Sequence, residues 1–149
     1  MKRLTLLISA CLALPLWADN ATLTIQITNH SSGTALAWDQ AYSTPGTWTP
    51  TMPEGADANV DSLASKTFKF TTQDNRGHSV SAGWGQYDSD GNPTHQCIGK
   101  FSFDNVNQRW IPDNKTKQLN CELKPLTAQS KNATFTLKMY DPMLHHKKK

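Results

Sequence analysis

The sequence predicts an all-β fold, a single-domain antiparallel β-sandwich of about seven strands closed by one disulfide. Apolar and polar residues alternate in short segments along the chain, and this period of two is typical of strands with one buried face. Turn-forming residues separate the segments. No segment has the periodicity of a convincing amphipathic helix. Two cysteines, Cys97 and Cys121, fall in different alternating segments.

Three predicted strands lie in the first half of the chain. The first covers residues 21–28, where apolar residues occupy every second position: Ala21, Leu23, Ile25 and Ile27. Residues 29–33 have turn composition, and residues 35–38 are interpreted as a returning strand. Alternation resumes at residues 67–72.

Four further strands are predicted at residues 79–87, 97–103, 119–123 and 133–139. In the first of these, Trp84 lies on the apolar face and is expected in the core. Gly83 and Gly85 lie on the opposite face, which indicates a bulge or a close backbone neighbour. Residues 88–93 are predicted to form a tight turn.

The predicted disulfide joins Cys97 to Cys121. Each cysteine shares the predicted core face of its strand with phenylalanine or leucine residues, so the two patterns agree. The bridge would close a loop of about 25 residues and contribute about 3 kcal/mol. A catalytic or metal-binding role is the alternative, but no C-x-x-C spacing supports it.

The N-terminal segment resembles a secretory signal peptide, with Lys2 and Arg3 before an apolar stretch and Ala18 at a plausible cleavage point. The stretch is too short to span a bilayer of about 30 Å. We therefore expect a signal peptide at 1–18, a β-sandwich domain at 19–141 and a basic flexible tail at 142–149, in a secreted or periplasmic protein. Lipid attachment at Cys11 and an uncleaved anchor are the alternatives.

Charge argues against a nucleic-acid partner. The formal net charge is +3, but five basic residues lie at the two ends: Lys2, Arg3, Lys147, Lys148 and Lys149. Nucleic-acid binding needs a clustered basic surface. We expect no nucleic acid and no transmembrane segment in the mature chain, and the oligomeric state stays open.

The long connection at residues 39–66 is the predicted ligand-binding region, since usual connections have about 4–6 residues. Flat aromatic rings stack on sugars or enter lipid headgroups. The candidate binding residues are Trp48, Tyr42, Met52 and Trp38. A glycan, a lipid headgroup or a protein would be the ligand. Alternatively, Trp48 folds back over one end of the sandwich as a plug.

Metal sites have only weak support, and neither a metal nor another cofactor is expected. Three histidines fall in turn-like segments: His30, His78 and His95. They are interpreted as solvated turn residues, with a transition-metal site as the alternative. The tail carries further possible copper ligands: Met143, His145 and His146. Residues 88–92 resemble a calcium loop but lack its terminal glutamate, so a hairpin turn is expected.

No catalytic residue is predicted, because the chain contains neither a Gly-x-Ser-x-Gly elbow nor a phosphate-binding glycine loop. The leading interpretation is an exported, non-enzymatic binding domain that uses residues 39–66. It would be a secreted effector, an adhesin-like protein or a lipid- or glycan-binding module. The alternatives are a small secreted hydrolase with its site in the same loop and a periplasmic metal-binding protein.

The spacing of several glycine, tryptophan and other aromatic positions resembles that of aegerolysin-type proteins over about sixty residues. The positions that carry the likeness are Ile27, Thr28, Asn29, Ser31, Gly46, Trp48, Pro53, Phe68, Phe70, Gly83, Gly85 and Tyr87. This resemblance implies a small β-sandwich that binds membrane lipids, in some cases forming pores with a partner. The long proline-containing loop and the cysteine pair depart from that pattern.

Overall fold

A computed structural model of the chain describes residues 20–39, 46–49, 56–72, 79–127 and 130–142. These residues form an all-β sandwich, which confirms the predicted fold class. The strands are β1 Ala21–His30, β2 Leu36–Asp39, β3 Thr47–Thr49, β4 Ser65–Thr72, β5 Ser79–Tyr87, β6 Pro93–Asp104, β7 Arg109–Pro112, β8 Cys121–Pro125 and β9 Asn132–Tyr140. A 3₁₀ turn, Ala56–Ala58, precedes β4. In this part of the chain no helix has the length and apolar character that a membrane crossing requires.

Two sheets pack against each other. The five-stranded sheet has the order β3-β4-β1-β9-β8, and the four-stranded sheet has the order β2-β5-β6-β7. The alternation in β1 has the predicted effect, since Leu23, Ile25 and Ile27 are fully buried. Burying one face of each strand supplies the apolar driving force for joining the sheets.

One strand pair departs from the predicted antiparallel arrangement. The first strand, β1, runs parallel to the last strand, β9, with Ile25 opposite Phe135. On its other side β1 pairs antiparallel with β4. Alternation specifies which face of a strand is buried, but it does not specify the direction of the neighbouring strand.

The segment predicted to return beside β1 instead joins the other sheet. β2 pairs with β5, with Leu36 opposite Gly85. Both edges of β1 are already occupied by β4 and β9, so the turn after β1 carries the chain across the sandwich. Two short strands were not predicted, because β3 and β7 each contain too few residues to display alternation.

Aromatic contacts join the sheets across the core. Phe68 of β4 packs on Trp84 of β5 with ring centroids 5.1 Å apart, and Phe101 of β6 packs on Phe135 of β9 at 4.7 Å. The predicted core position of Trp84 is confirmed, since its side chain is fully buried. Its indole N–H donates to the Ala58 carbonyl at 3.0 Å, so the buried ring carries no unpaired donor.

The predicted disulfide is confirmed. Cys97 of β6 is bonded to Cys121 of β8, with Cα atoms 5.4 Å apart. Because β6 and β8 belong to different sheets, the bond ties the two layers of the sandwich together. Cys97 is fully buried.

Side chains cover the outer edge of β6 where no strand pairs with it. The Ile98 N–H donates to Gln118 Oε1 at 2.8 Å, and Gln118 Nε2 donates back to the Ile98 carbonyl. Next to this pair, Gln96 exchanges backbone hydrogen bonds with Leu119. Asn120 Nδ2 donates to the Thr94 carbonyl at 2.9 Å. The amide side chains therefore act as a substitute strand on an edge that would otherwise be open.

Two aspartates organise the tight turns on either side of β6. Asp88 Oδ1 accepts the backbone N–H of Asn92 at 2.9 Å, and this bond is the main reason that the pKa of Asp88 lies below its usual value. At the other turn, the side-chain amide of Asn107 donates to Asp104 Oδ2 at 2.7 Å and is the main cause that lowers the pKa of Asp104. The hairpin turn expected at residues 88–92 is therefore present.

These turns make acid stability dependent on the two carboxylates. Both pKa values lie below 3.8 in the folded chain, so their stabilising effect is complete above pH 3.8 and is lost as the pH falls through the folded-state values. We expect the double variant D88N/D104N to lose less stability than the wild type as the pH falls from about 4 to about 2, measured by urea unfolding. The upper limit of this range is set by the reference pKa of a carboxyl group. Parallel pH profiles for the two proteins would contradict this assignment.

A candidate binding cleft at one end of the sandwich

A cleft of about 590 Å³ opens where β1 and β9 end, between the β1–β2 turn and the start of β6. We call it the end cleft. The residues that line it come from distant parts of the sequence: Ser32, Gly33, Thr34, Leu36, Gln86, Tyr87, Thr94, His95 and Pro142. Its size falls within the range of small-molecule sites, about 300–1,000 Å³.

A buried polar cluster holds the β1–β2 turn against the end cleft. Asn29 is fully buried, and its Nδ2 donates to the carbonyls of Gly33 and Val60 at 2.7 Å and 3.0 Å. Its Oδ1 accepts from the N–H and the hydroxyl of Ser31. Gln86 Nε2 donates to the Ser31 hydroxyl and to the Gly33 carbonyl. Because so many partners fix each group, this wall of the cleft is preorganised.

His95 is the buried titratable group of the end cleft, with 5% of its surface exposed. Its Nδ1 lies 3.1 Å from the hydroxyl of Thr94, and that hydroxyl donates to the Gln86 carbonyl at 3.2 Å. Its Nε2 lies 3.5 Å from Asp141 Oδ1 and has no hydrogen-bond partner among the described residues. Buried polar atoms are rarely left in this state, so His95 marks the end cleft as a functional candidate.

Two exposed apolar side chains give the end cleft its non-polar part. Tyr87 is 46% exposed and Leu36 is 48% exposed. The Tyr87 ring lies over Gly85, since a Cβ added to that glycine would be 3.1 Å from Tyr87 Oη and 3.3 Å from the ring. Gly85 therefore leaves room for the aromatic ring. The sequence predicts a bulge or a close backbone neighbour at Gly83 and Gly85, whereas the close neighbour of Gly85 is a side chain.

The charge of the end cleft limits the ligands that fit it. None of the described residues that line it is lysine or arginine, and Asp141 contributes a carboxylate beside His95. Hydroxyl, amide and imidazole groups provide the polar surface. Anionic groups are usually held by lysine or arginine, so the described lining does not suit an anionic ligand.

The structure describes only part of the binding surface that is predicted at residues 39–66. Trp48 lies in β3, is 9% exposed and packs on Phe70 with ring centroids 5.3 Å apart. It therefore contributes to the core and offers little ring surface to a ligand. The backbone of Trp38 lies in β2, opposite Gly83. Tyr42 and Met52 lie outside the described residues.

The predicted histidines separate into three cases. His30 ends β1 and stacks on Tyr140 with ring centroids 5.5 Å apart. His95 lies within β6, buried, and its interpretation as a solvated turn residue was wrong. His78 and residues 143–149 lie outside the described part of the chain. Among the residues that the structure describes, no group of three or more His, Cys, Asp or Glu side chains could hold a metal ion.

One sequence signal could have indicated the end cleft. His95 continues the odd-numbered face of β6, on which Cys97, Phe101 and Phe103 are buried. A histidine in register with core residues is a candidate for a buried polar role. Its partner Asp141 comes from the far end of the chain, and only the parallel pairing of β1 and β9 explains how the end of β9 reaches this end of the sandwich.

Comparison with known proteins does not assign a function to the end cleft. The chain matches no protein-family model, and no curated protein matches its sequence. Its function is therefore inferred from the chemistry of the end cleft.

Proposed function

We propose that this protein is an exported, non-enzymatic binding domain that holds a neutral glycan in the end cleft. The observation that carries the proposal is the exposed Tyr87 ring beside hydrogen-bonding side chains in a cleft that lacks a cationic lining residue. The proposed class of protein is the one that the sequence predicts. The proposed binding surface moves from residues 39–66 to the end cleft.

A sugar ring matches both parts of this surface. Its C–H groups can pack on the exposed tyrosine ring, while its hydroxyls exchange hydrogen bonds with hydroxyl and amide side chains. Thr94 and Ser32 line the cleft and have such hydroxyls. The Asp141 carboxylate can accept hydrogen bonds from a ligand, and the side chain is about one-third exposed. A phosphate-bearing lipid headgroup would meet this carboxylate without a compensating lysine or arginine, so it is the weaker candidate.

Export is supported by two features. Residues 1–18 have the composition of a secretory signal peptide. The Cys97–Cys121 disulfide is also typical of proteins that leave the reducing cytoplasm. Together these features favour a secreted or periplasmic location.

The role of Tyr87 can be tested by substitution. We expect Y87A to lower the affinity for a bound neutral glycan by about tenfold to a hundredfold, because an exposed aromatic anchor contributes about 1–3 kcal/mol. Stability should change little, since half of the ring is already in solvent. The affinity is measured by calorimetry on a glycan identified from an array.

Three controls make this test specific. Y87F retains the ring and should bind nearly as well as the wild type. V106A removes another exposed apolar side chain, in the turn between β6 and β7, and should leave affinity unchanged. Vesicles of anionic and zwitterionic lipids test the headgroup alternative. Binding to anionic vesicles without binding to any neutral glycan, or equal glycan affinity of Y87A and the wild type, would contradict the proposal.

A further inference from the structure

The outer edge of β8 presents backbone groups that pair with no other strand in the described part of the chain. On its inner side β8 pairs with β9, where the Tyr140 N–H donates to the Asn120 carbonyl at 3.0 Å and the Leu126 N–H donates to the Thr134 carbonyl at 2.8 Å. Hydrogen bonding alternates along an antiparallel strand, so Cys121, Leu123 and Pro125 direct their backbone groups outward. Among the described residues, no hydrogen bond uses the N–H of Cys121 or Leu123.

Among the described residues, the edges of three strands in the four-stranded sheet have hydrogen-bond partners. Amide side chains and a backbone bridge occupy the outer edge of β6, as described above. At β2, Asn59 Oδ1 accepts the Ala37 N–H at 2.9 Å, and Ala35 is bridged to Val60. At β7, the Trp110 N–H donates to the Ser130 carbonyl at 3.3 Å. An open edge with free N–H groups is a template for another strand.

We propose that β8 pairs with β8 of a second copy of this chain, so that two five-stranded sheets join across a two-fold axis. The pairing is antiparallel, with Leu123 opposite the partner's Leu123. These two residues exchange reciprocal backbone hydrogen bonds. Each Cys121 N–H donates to the carbonyl of the partner's Pro125. The proline nitrogen has no proton to return, which limits the number of bonds in the pair.

Charge complementarity selects this register and this partner. With Leu123 on the two-fold axis, Glu122 lies opposite the partner's Lys124, and the same contact repeats on the other side of the axis. Moving one strand by two residues in either direction places Glu122 opposite the partner's Glu122, or Lys124 opposite the partner's Lys124. Opposite charges across neighbouring strands stabilise a sheet and like charges destabilise it.

The side chains of β8 are available for this contact. Glu122 and Lys124 point away from the core, are both exposed, and form an ion pair with each other at 2.7 Å between Nζ and Oε1. In the dimer each of them gains an opposite charge from the partner. Leu126, at the end of β8, is exposed and would be partly covered. Because the strand is short, the contact area is small and the dimer is weak and dependent on concentration.

Charge reversal in two variants tests the pairing. Sedimentation velocity over a range of concentrations should show a monomer–dimer equilibrium for the wild type. E122K and K124E should each lower the dimer affinity by about tenfold, because each creates two like-charged contacts across the axis. An equimolar mixture of E122K and K124E should recover the affinity of the wild type, since every contact in the mixed dimer joins opposite charges.

The mixture distinguishes a loss of charge contacts between two copies from a loss of the ion pair within one strand. Each variant alone also loses the ion pair within its own strand, and mixing cannot restore that pair. K69E reverses a charge on β4, away from β8, in the same sheet, and it should leave the affinity unchanged. A wild type that stays monomeric at all concentrations, or a mixture that associates no better than either variant alone, would overturn the proposal.

Discussion

Replacing Trp48 by alanine is expected to lower the free energy of unfolding by about 3 kcal/mol, the size typical of large aromatic deletions from a core. The reason is burial, because the indole packs on Phe70, which in turn lies edge-on to Trp110 at 6.2 Å. Removing the ring leaves a cavity at the outer strand of the five-stranded sheet. Urea unfolding followed by tryptophan fluorescence or circular dichroism measures the change.

The same experiment separates the two roles that the sequence allows for Trp48. W48F should retain more stability than W48A, because it keeps part of the buried ring. T49A removes an exposed neighbour on the same strand and should have little effect on unfolding. If W48A were as stable as the wild type but bound its glycan more weakly, Trp48 would belong to the binding surface rather than to the core.

Removing the disulfide should produce an effect of similar size. C97A/C121A is expected to lose about 3 kcal/mol, because the bond closes a loop between residues 24 positions apart and restricts the unfolded chain. It also joins the two sheets directly. Differential scanning calorimetry of the oxidised protein and the double variant measures the loss.

Reduction of the wild type provides the matched control. The reduced chain keeps both sulfur atoms, so the difference between it and C97A/C121A measures the packing lost at Cys97, which is fully buried. Most of the destabilisation should already be present after reduction. A reduced protein with an unchanged melting temperature would show that the bond has no part in stability.

Much of the fold could be predicted because the core depends on a local pattern. The alternating residues of β1 and the aromatic positions of β4 and β6 identify the buried faces without knowledge of their partners. The same alternation does not indicate whether a neighbouring strand runs parallel or antiparallel. The parallel pairing of β1 and β9 therefore could not be predicted from it. For the same reason the sequence does not indicate that β2 pairs with β5, since nothing local shows that β1 has no free edge.

The candidate site was less accessible to sequence reasoning, because its parts meet only in the folded chain. The end cleft combines the turn after β1, the turn-side ends of β5 and β6, and the end of β9. The sequence indicates Trp48 as a binding residue because long connections often carry functional residues. Its short strand, however, directs the ring inward, while the exposed ring of Tyr87 ends a strand that otherwise belongs to the core.

The position of β1 in the five-stranded sheet has a consequence for folding kinetics. This strand precedes the other described strands in the sequence, yet it lies between β4 and β9, and its register with β9 extends to Tyr140. Such contacts between distant parts of the chain raise the contact order, and chains of this kind fold slowly. One edge of β1 therefore stays unpaired until β9 is available, and an unpaired strand edge is a site at which another chain can pair.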